Sequence, residues 1–398
     1  MSERIQGLTI PTDYIEGYEK ARKIAPDIAD NYVAHSLIGD PLGDAMMEDL
    51  GQLPAEEATR LIEAAMQQEG EEALKDAPAS LREFFKDAEA TPEWVDYNQF
   101  LPGVRMFHRH SPVVLAAFVA GTLIEGFATN IARSFFITGR VRDQGVRRLG
   151  QNNRHIIEIF FPGGMQRHGD GWKLSVRIRI VHAQVRRLLK SSPDWDQEAW
   201  GEPISAAHLG YAIAGFSARL LNHMKTLGAT YTDEEYDSFM AVWRFSGHLM
   251  GIPDSILFQN ADEALKLLEI GGMCEPDTPL ESVVMANALI NSAPLLVGIT
   301  DARDRQRLAN YVYRVSRGLI GNEAADALQY PKLSTVGVLW YFKMTQRYGS
   351  LLDRLLPIRS QNSDHARFMS LLEVSIYDEG GISYALPDNV NAERSSHY

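Results

Sequence analysis

Apolar residues along this chain recur mostly at helical spacing, and the sharpest case is the stretch from Leu174 to Leu189. Leu174, Ile178, Val181, Val185 and Leu188 follow one another at steps of 4, 3, 4 and 3, which draws one apolar stripe down an α-helix. His182 lies beside Val181 and one turn from both Ile178 and Val185, so its imidazole sits at the edge of the buried face. Arg179 and Arg186, three residues before it and four after, project from the same side of the helix.

The same period governs most of the remaining chain. Residues 12–35 and 42–96 predict helices rich in Glu and Ala, interrupted at Pro41, Pro54, Pro78 and Pro92. Val113 to Ala128 is the most apolar run; its 16 residues are short for a membrane span, and Glu125 near its end would be costly in lipid. It predicts a helix buried in the core, where Gly121 and Gly126 let a neighbour or a flat ligand come close. Phe160 to Trp172 predicts a loop, and Pro193 ends the helix that carries His182. Ser205 caps a helix to Leu227 that Gly228 stops. Thr232 and Glu235 form a capping-box pattern that opens a helix to Met250. Residues 258–330 predict further helices, and one or two more run from 331 to near Tyr377. Short apolar runs at 101–107 and 157–161 are the only strand signals. The pattern predicts an all-α protein: an N-terminal helical extension over 1–98 packed on a core over 99–330, C-terminal helices over 331–378 and a mobile tail over 379–398, all within one structural domain.

Composition narrows the class. A chain of 398 residues with 45% hydrophobic and 23% charged residues is long enough for a large core and has the balance of a soluble globular protein. Its formal charge of −13 opposes a nucleic-acid partner, because no net positive field draws phosphate. Cys274 is the sole cysteine, which rules out an intrachain disulfide and cysteine-based zinc or iron–sulfur sites. Residues 1–30 lack the apolar core of a signal peptide, so the expected location is cytoplasmic.

Candidate chemistry centres on His182. A neutral imidazole can ligate a metal and nearby arginines bind carboxylates, a pairing that suits a haem, whose iron needs an axial base and whose propionates need cations. The alternative is a core histidine with arginines on a solvated face. Glu125, on a buried helix, must be paired with an arginine or have a raised pKa. Asp40 and Asp44 read as a turn and a helix start. His108 and His110 diverge by about 200° on a helix and read as surface groups. His208 and His223, 15 residues apart on one helix, cannot share one small site. Arg314 and Arg317 are candidates for anion contacts. The GxGxxG, GxxxxGK[ST] and GxSxG signatures are absent.

The run Arg179-Ile180-Val181-His182-Ala183-Gln184-Val185-Arg186 resembles the Arg-x-x-His-Ala-x-x-Arg helix of the rubber oxygenase (latex clearing protein) and mpaB-type oxygenase family. Thr138-Gly139-Arg140, Trp200-Gly201-Glu202-Pro203-Ile204-Ser205 with Phe216, and Trp243 to Pro253 agree with that family in order, with a softer match at Gly39-Asp40-Pro41-Leu42-Gly43-Asp44. The resemblance spans roughly residues 35 to 330 and implies a globin-like helical core that binds haem b and attacks carbon–carbon double bonds of isoprenoids with dioxygen. It implies His182 as the iron ligand, Glu125 as a base beside the haem with Arg140 as a second catalytic residue, and Arg179, Arg186 and His248 as cofactor contacts; Arg317 joins the last group as an anion contact. Where rubber oxygenases carry a Lys-Thr pair, this chain has Asp143 and Gln144, which favours an mpaB-like member whose sixth iron position is open. The partners implied are dioxygen and an apolar small molecule or polyisoprenoid, with no nucleic acid and no membrane span; the oligomeric state is unassigned. A non-catalytic haem carrier or sensor and a cofactor-free helical interaction protein are the alternative readings.

Overall fold

In the computed structural model, which describes residues 3–5, 7–67, 70, 72–138, 152–296 and 298–344, nearly all regular structure is helical. The one sheet among the described residues is a hairpin that pairs β1 (Glu3–Ile5) with β2 (Leu8–Ile10) antiparallel, Arg4 opposite Thr9. Helices α1 (Ile15–Arg22) and α2 (Pro26–His35) replace the single helix expected over 12–35, because Pro26 cannot continue a preceding turn and starts a new one. Then come α3 (Pro41–Leu50), α4 (Ala55–Gln67) and α5 (Ala79–Glu89), which form the N-terminal helices.

Both strand signals turn out to be helical. Residues 101–107 lie in α6 (Leu101–Arg109), where Pro102 occupies the first turn and Val104 and Phe107 face inward one turn apart. Gly103 lets α6 close on α15 (Asp233–Leu249): its amide donates to Ser238 Oγ at 2.7 Å, and a Cβ there would stand 2.7 Å from the Phe239 nitrogen. Residues 157–161 belong largely to a helix over 152–159, α10, that is buried nearly all round, which erases the amphipathic period by which helices are read. Phe160 just beyond it is sandwiched between Phe107, at 4.8 Å, and Phe239, at 4.4 Å between ring centroids.

The most apolar run is one helical rod with a wide turn in the middle. Helix α7 (Ser111–Ala117) passes into a π-helical turn, Phe118–Thr122, and on to α8 (Leu123–Phe127), followed by α9 (Ile131–Ile137). A second rod has the same build: α13 (Ala206–Ala214), the π turn Gly215–Arg219 and α14 (Leu220–Thr226). The two π turns touch, with Phe118 and Phe216 at 5.3 Å. Ser205 caps α13 and Thr232 with Glu235 completes the capping box of α15, as their spacing predicts. Helix α16 (Ala261–Cys274) packs on α1, α2 and α13. Helices α17 (Leu280–Leu296), α18 (Ala302–Ile320) and α19 (Asn322–Ala327) complete the described core; the tail expected over 379–398 lies outside the described residues.

The helix that organises the interior is α11 (Asp170–Lys190), with α12 (Gln197–Trp200) after it. It is fastened to α3 by two buried arginines. Arg179 grips Asp40 with two parallel bonds, Nε to Oδ2 at 2.6 Å and Nη2 to Oδ1 at 2.9 Å, and reaches Asp87 with Nη1 at 2.8 Å. Its guanidinium also lies 4.6 Å from the Phe84 ring centroid. Arg186 donates to Asp44 at 2.7 Å and to the Ile204 carbonyl at 3.2 Å. Asp40 and Asp44 are one turn apart on α3, and Arg179 and Arg186 two turns apart on α11, so each pair faces its partner across the contact. The space between the helices is held open by small residues. A Cβ on Gly43 would stand 2.4 Å from Asp40 Oδ2 and 3.2 Å from the Ala183 Cβ; Gly251, at φ +78°, admits Arg179 to within 2.5 Å of where its own Cβ would be. Asp40 does stand at the start of α3, before Pro41 at its first turn, but its side chain serves Arg179 and makes no cap.

Because the side chains of Arg179 and Asp40 are 4% and 3% exposed, removing one leaves an uncompensated buried charge. Arg179→Leu is expected to cost about 3–5 kcal/mol of stability, and the double change Arg179→Leu with Asp40→Leu to recover most of it. Urea unfolding of both variants checks this; a loss below about 1 kcal/mol in the single variant would show that the pair is dispensable.

Candidate active site

Helices α8 to α11, α13 and α15 enclose a cavity of about 1220 Å³ counting its open mouth. Its wall is mainly apolar: Leu123, Phe127, Phe135, Ile213, Phe216 and Trp243 all contribute. Ile178, Val181, His182 and Val185 of α11 line it too, so much of the stripe that predicts a packed helix face is in fact a cavity wall. That places the half-buried His182 imidazole where a ligand would lie. Gly126 presents bare backbone here, since a Cβ on it would meet nothing within 4 Å, whereas a Cβ on Gly121 would stand 2.6 Å from His223 Cδ2. The two glycines thus divide the expected roles: Gly121 admits a neighbour and Gly126 opens onto space. Among the described residues no Lys, Arg, Asp or Glu lines this cavity.

Two further histidines line it that spacing alone does not reveal. His155 of α10 approaches Ser175 Oγ at 3.1 Å with Nε2; because that hydroxyl already donates to the Gly171 carbonyl at 2.8 Å, its oxygen accepts and the imidazole carries its proton on Nε2. Burial lowers the pKa of His155 to about 4, so it is a neutral base at physiological pH, and no described residue bonds its Nδ1. His208 of α13 lies 2.9 Å from the Tyr14 hydroxyl and 3.4 Å from Glu275 Oε1, with its Nδ1 3.1 Å from Ser205 Oγ. Glu275 also accepts from the Tyr32 hydroxyl and the Asn130 amide, each at 2.6 Å, and although burial pushes its pKa up, these contacts and His208 hold it below the usual carboxylate range. The cluster ties the α8–α9 turn, which supplies Thr129 to the cavity, to α13 and to the N-terminal helices.

A second cavity, about 1030 Å³ with its open mouth, adjoins the first. Glu125 lies here. Its carboxylate accepts from Arg219 Nε at 3.0 Å and Nη2 at 2.6 Å and lies 3.0 Å from His223 Nε2. Burial works to raise its pKa, but the hydrogen bonds from His223 and Arg219 outweigh that and leave it lowered, hence ionised. Of the two states open to a buried carboxylate, the structure shows the paired one, facing away from the first cavity's lining. His208 and His223 indeed do not meet; each serves a different cavity.

The other expected site residues are placed elsewhere. Arg179 and Arg186 are absent from the cavity lining, their charges engaged by Asp40, Asp87 and Asp44, so the expectation that they hold a cofactor's carboxylates gives way to a structural role. His248, in the last turn of α15, is wedged between Phe245 and Trp94, and burial lowers its pKa, which removes the charge that would favour a helix end. Arg317 pairs with Asp326 at 2.8 Å, and Arg314 bonds the Ser334 carbonyl at 2.6 Å. Likewise His108 and His110 are half-buried, each against a carbonyl, of Phe160 and Thr230. Arg140, Asp143 and Gln144 lie outside the described residues.

His155 also makes stability pH-dependent. Its folded pKa of about 4 is below the 6.5 of a free imidazole, so its contribution is complete above about pH 6.5 and is lost as the pH falls towards 4, by roughly 3 kcal/mol in all. Urea unfolding between pH 7 and 4 should show this slope in the wild type and a shallower one in His155→Gln; identical slopes would refute it.

Comparison with known proteins bears on the whole arrangement. Residues 105–349 match the family described as ER-bound oxygenase mpaB/B'/rubber oxygenase, catalytic domain. The rubber oxygenase of Streptomyces sp. (strain K30) is 27% identical over 236 residues, 56% of this chain and 55% of that protein, so the match spans about half of the relative. The structure of latex clearing protein LCP in the closed state aligns with a TM-score of 0.63 and 20% identity over 88% of this chain and 94% of the other, a likeness of fold. The helical architecture, the ordered motifs on α11, α13 and α15 and the match over residues 105–349 together place this chain in the mpaB/rubber oxygenase catalytic-domain family.

Proposed function

We propose that this chain is a haem b-dependent oxygenase that uses dioxygen to cleave a carbon–carbon double bond of an apolar isoprenoid or related alkene. The observation that carries the reading is the wall of the first cavity, where the half-buried His182 stands on a stripe of Ile178, Val181 and Val185 in a mainly apolar space that His155 and His208 also line, with the bare backbone of Gly126 on the same wall. Among the described residues no three His, Cys, Asp or Glu side chains converge as a metal site, so an iron at His182 fits best as one whose other ligands come from a macrocycle. The fit is good for a nitrogen donor to the iron and for an apolar body. It is poor for the expected carboxylate partners, because Arg179 and Arg186 are held by α3. When bound, the haem supplies an iron that activates dioxygen.

The chain's own residues supply the remainder. Leu123, Phe127, Phe216 and Trp243 exclude water and bury the alkene. His182 would hold the iron from α11, which the two Arg–Asp pairs keep in register with α3. His155, neutral and fixed in one tautomer, can accept a hydrogen bond without charging the cavity. The reaction balances without net proton change: the double bond breaks, and each of its carbons receives one oxygen atom of dioxygen to give two carbonyl groups. Glu125 is given no part at the reacting carbons, since its carboxylate faces the second cavity. Arg140 is kept as a catalytic candidate on the family motif alone. A second reading, a haem carrier, draws on His155, whose Nδ1 could offer a second nitrogen to the same cavity.

His182→Ala should abolish or greatly weaken haem retention, read as loss of the Soret band after expression with adequate haem; an unchanged spectrum at full occupancy would falsify the assignment. With Asp143 and Gln144 in place of the family's Lys-Thr, the sixth position should take up imidazole, cyanide, or carbon monoxide after reduction, without a slow opening phase in stopped flow. Two strong-field nitrogen ligands and resistance to imidazole would favour the carrier. Mass spectrometry of products from a panel of isoprenoids with dioxygen decides whether carbonyl fragments form.

A further inference from the structure

The two cavities share a wall. Gly126, Tyr211, Ala212 and Phe216 line both, so the partition consists of two small residues and two rings. Each π turn contributes to the second cavity, Thr122 from one and Gly215, Phe216 and Arg219 from the other, and such wide turns are frequent at functional sites. The second cavity is amphipathic. Leu265, Leu268 and Leu328 line it together with the Glu125–Arg219 pair and the exposed Glu269.

The state of that pair decides what the cavity accepts. Arg219 gives Nε and Nη2 to Glu125, while its Nη1 has no hydrogen-bond partner among the described residues, and its side chain is 39% exposed. The carboxylate is ionised and retains lone pairs beyond those that Arg219 and His223 occupy. A visiting group thus meets an N–H donor and a carboxylate acceptor side by side, with no net charge between them. A hydroxyl satisfies both, accepting from Nη1 and donating to Glu125. An anion would face the Glu125 charge, and an ammonium the Arg219 charge, each after losing part of its own hydration, while Glu269 is exposed and its charge is screened by water.

We propose that the substrate is an amphipathic alkene whose apolar chain lies beside His182 in the first cavity and whose uncharged, hydroxyl-bearing end sits in the second, between Arg219 Nη1 and Glu125. This rests on the oxygenase reading and narrows its substrate class. Glu125 and Arg219 are specificity residues for the polar end, and Tyr211 and Phe216 flank the chain where it passes from one cavity to the other.

The test is calorimetric titration of the full chain as purified with four ligands of equal isoprenoid length: an alcohol, a carboxylic acid, an amine and a hydrocarbon. The alcohol should bind best, about tenfold or more over the acid and the amine, as expected where buried polar groups select their partner. In Glu125→Gln the guanidinium is unopposed and the acid should overtake the alcohol; in Arg219→Met the carboxylate is left and the amine should. Loss of packing alone would weaken all four together and could not invert their order. Equal affinities in the wild type, no binding by any of the four, or an order that neither substitution changes would each overturn the inference. The oxygenase reading fails on a different result, the absence of carbonyl products from every bound alkene in the presence of dioxygen.

Discussion

The position of the site depends on the pair of buried arginine–carboxylate contacts between α3 and α11. Arg179 and Arg186 carry two positive charges into the interior, and only Asp40, Asp44 and Asp87 make that tolerable. The penalty for separating the helices is therefore steep, and α11 has one seat. His182, midway between the two arginines, stands at the edge of the contact, where the surface of α11 passes into the cavity. The anchoring residues and the cavity residue share one motif because one helix does both tasks, and Gly39, Gly43, Ala183 and Gly251 belong to the surrounding motifs because larger side chains would push the ion pairs apart.

Much of this was legible in the sequence where the signal is local. The stripe on α11, the cap at Ser205, the capping box at Thr232 and Glu235 and the stop at Gly228 all depend on residues within a turn or two of one another. What escaped was non-local or isotropic. Nothing in the spacing of Asp40 and Asp44 reveals that they face arginines some 140 positions later; the separations of 139 and 142 residues are set by the tertiary fold. Helix α10 is buried nearly all round, so no exposed face gives it a clear period, and His155 on it is not legible from spacing. The Arg179 and Arg186 side chains were rightly read as carboxylate binders, but the carboxylates belong to the protein.

The candidate site shows how burial sorts four histidines into different duties. His155 is pressed into neutrality by burial, with the hydroxyls of Ser175 and Ser246 beside its Nε2. His208 faces a buried carboxylate that Tyr32 and the Asn130 amide also satisfy, so it joins a network that braces the cavity wall. His223 lies against Gly121 and helps to hold Glu125 ionised. His182 alone combines half-burial with a place on the stripe that lines the cavity. Residue type says little here, and the surroundings decide.

The two π turns place these side chains by arithmetic. A wide turn inserts one residue into a helix, and one residue is about 100° of rotation. Everything after Phe118–Thr122 on the first rod, and after Gly215–Arg219 on the second, is rotated by that amount relative to an unbroken α-helix, while the segments before the turns keep their packing. Glu125 thereby looks into one chamber and Gly126 reaches the wall of both. Which way Glu125 looks is thus fixed by the number of residues in a turn, so losing a single residue from Phe118–Thr122 would swing its carboxylate about 100° away from the second chamber.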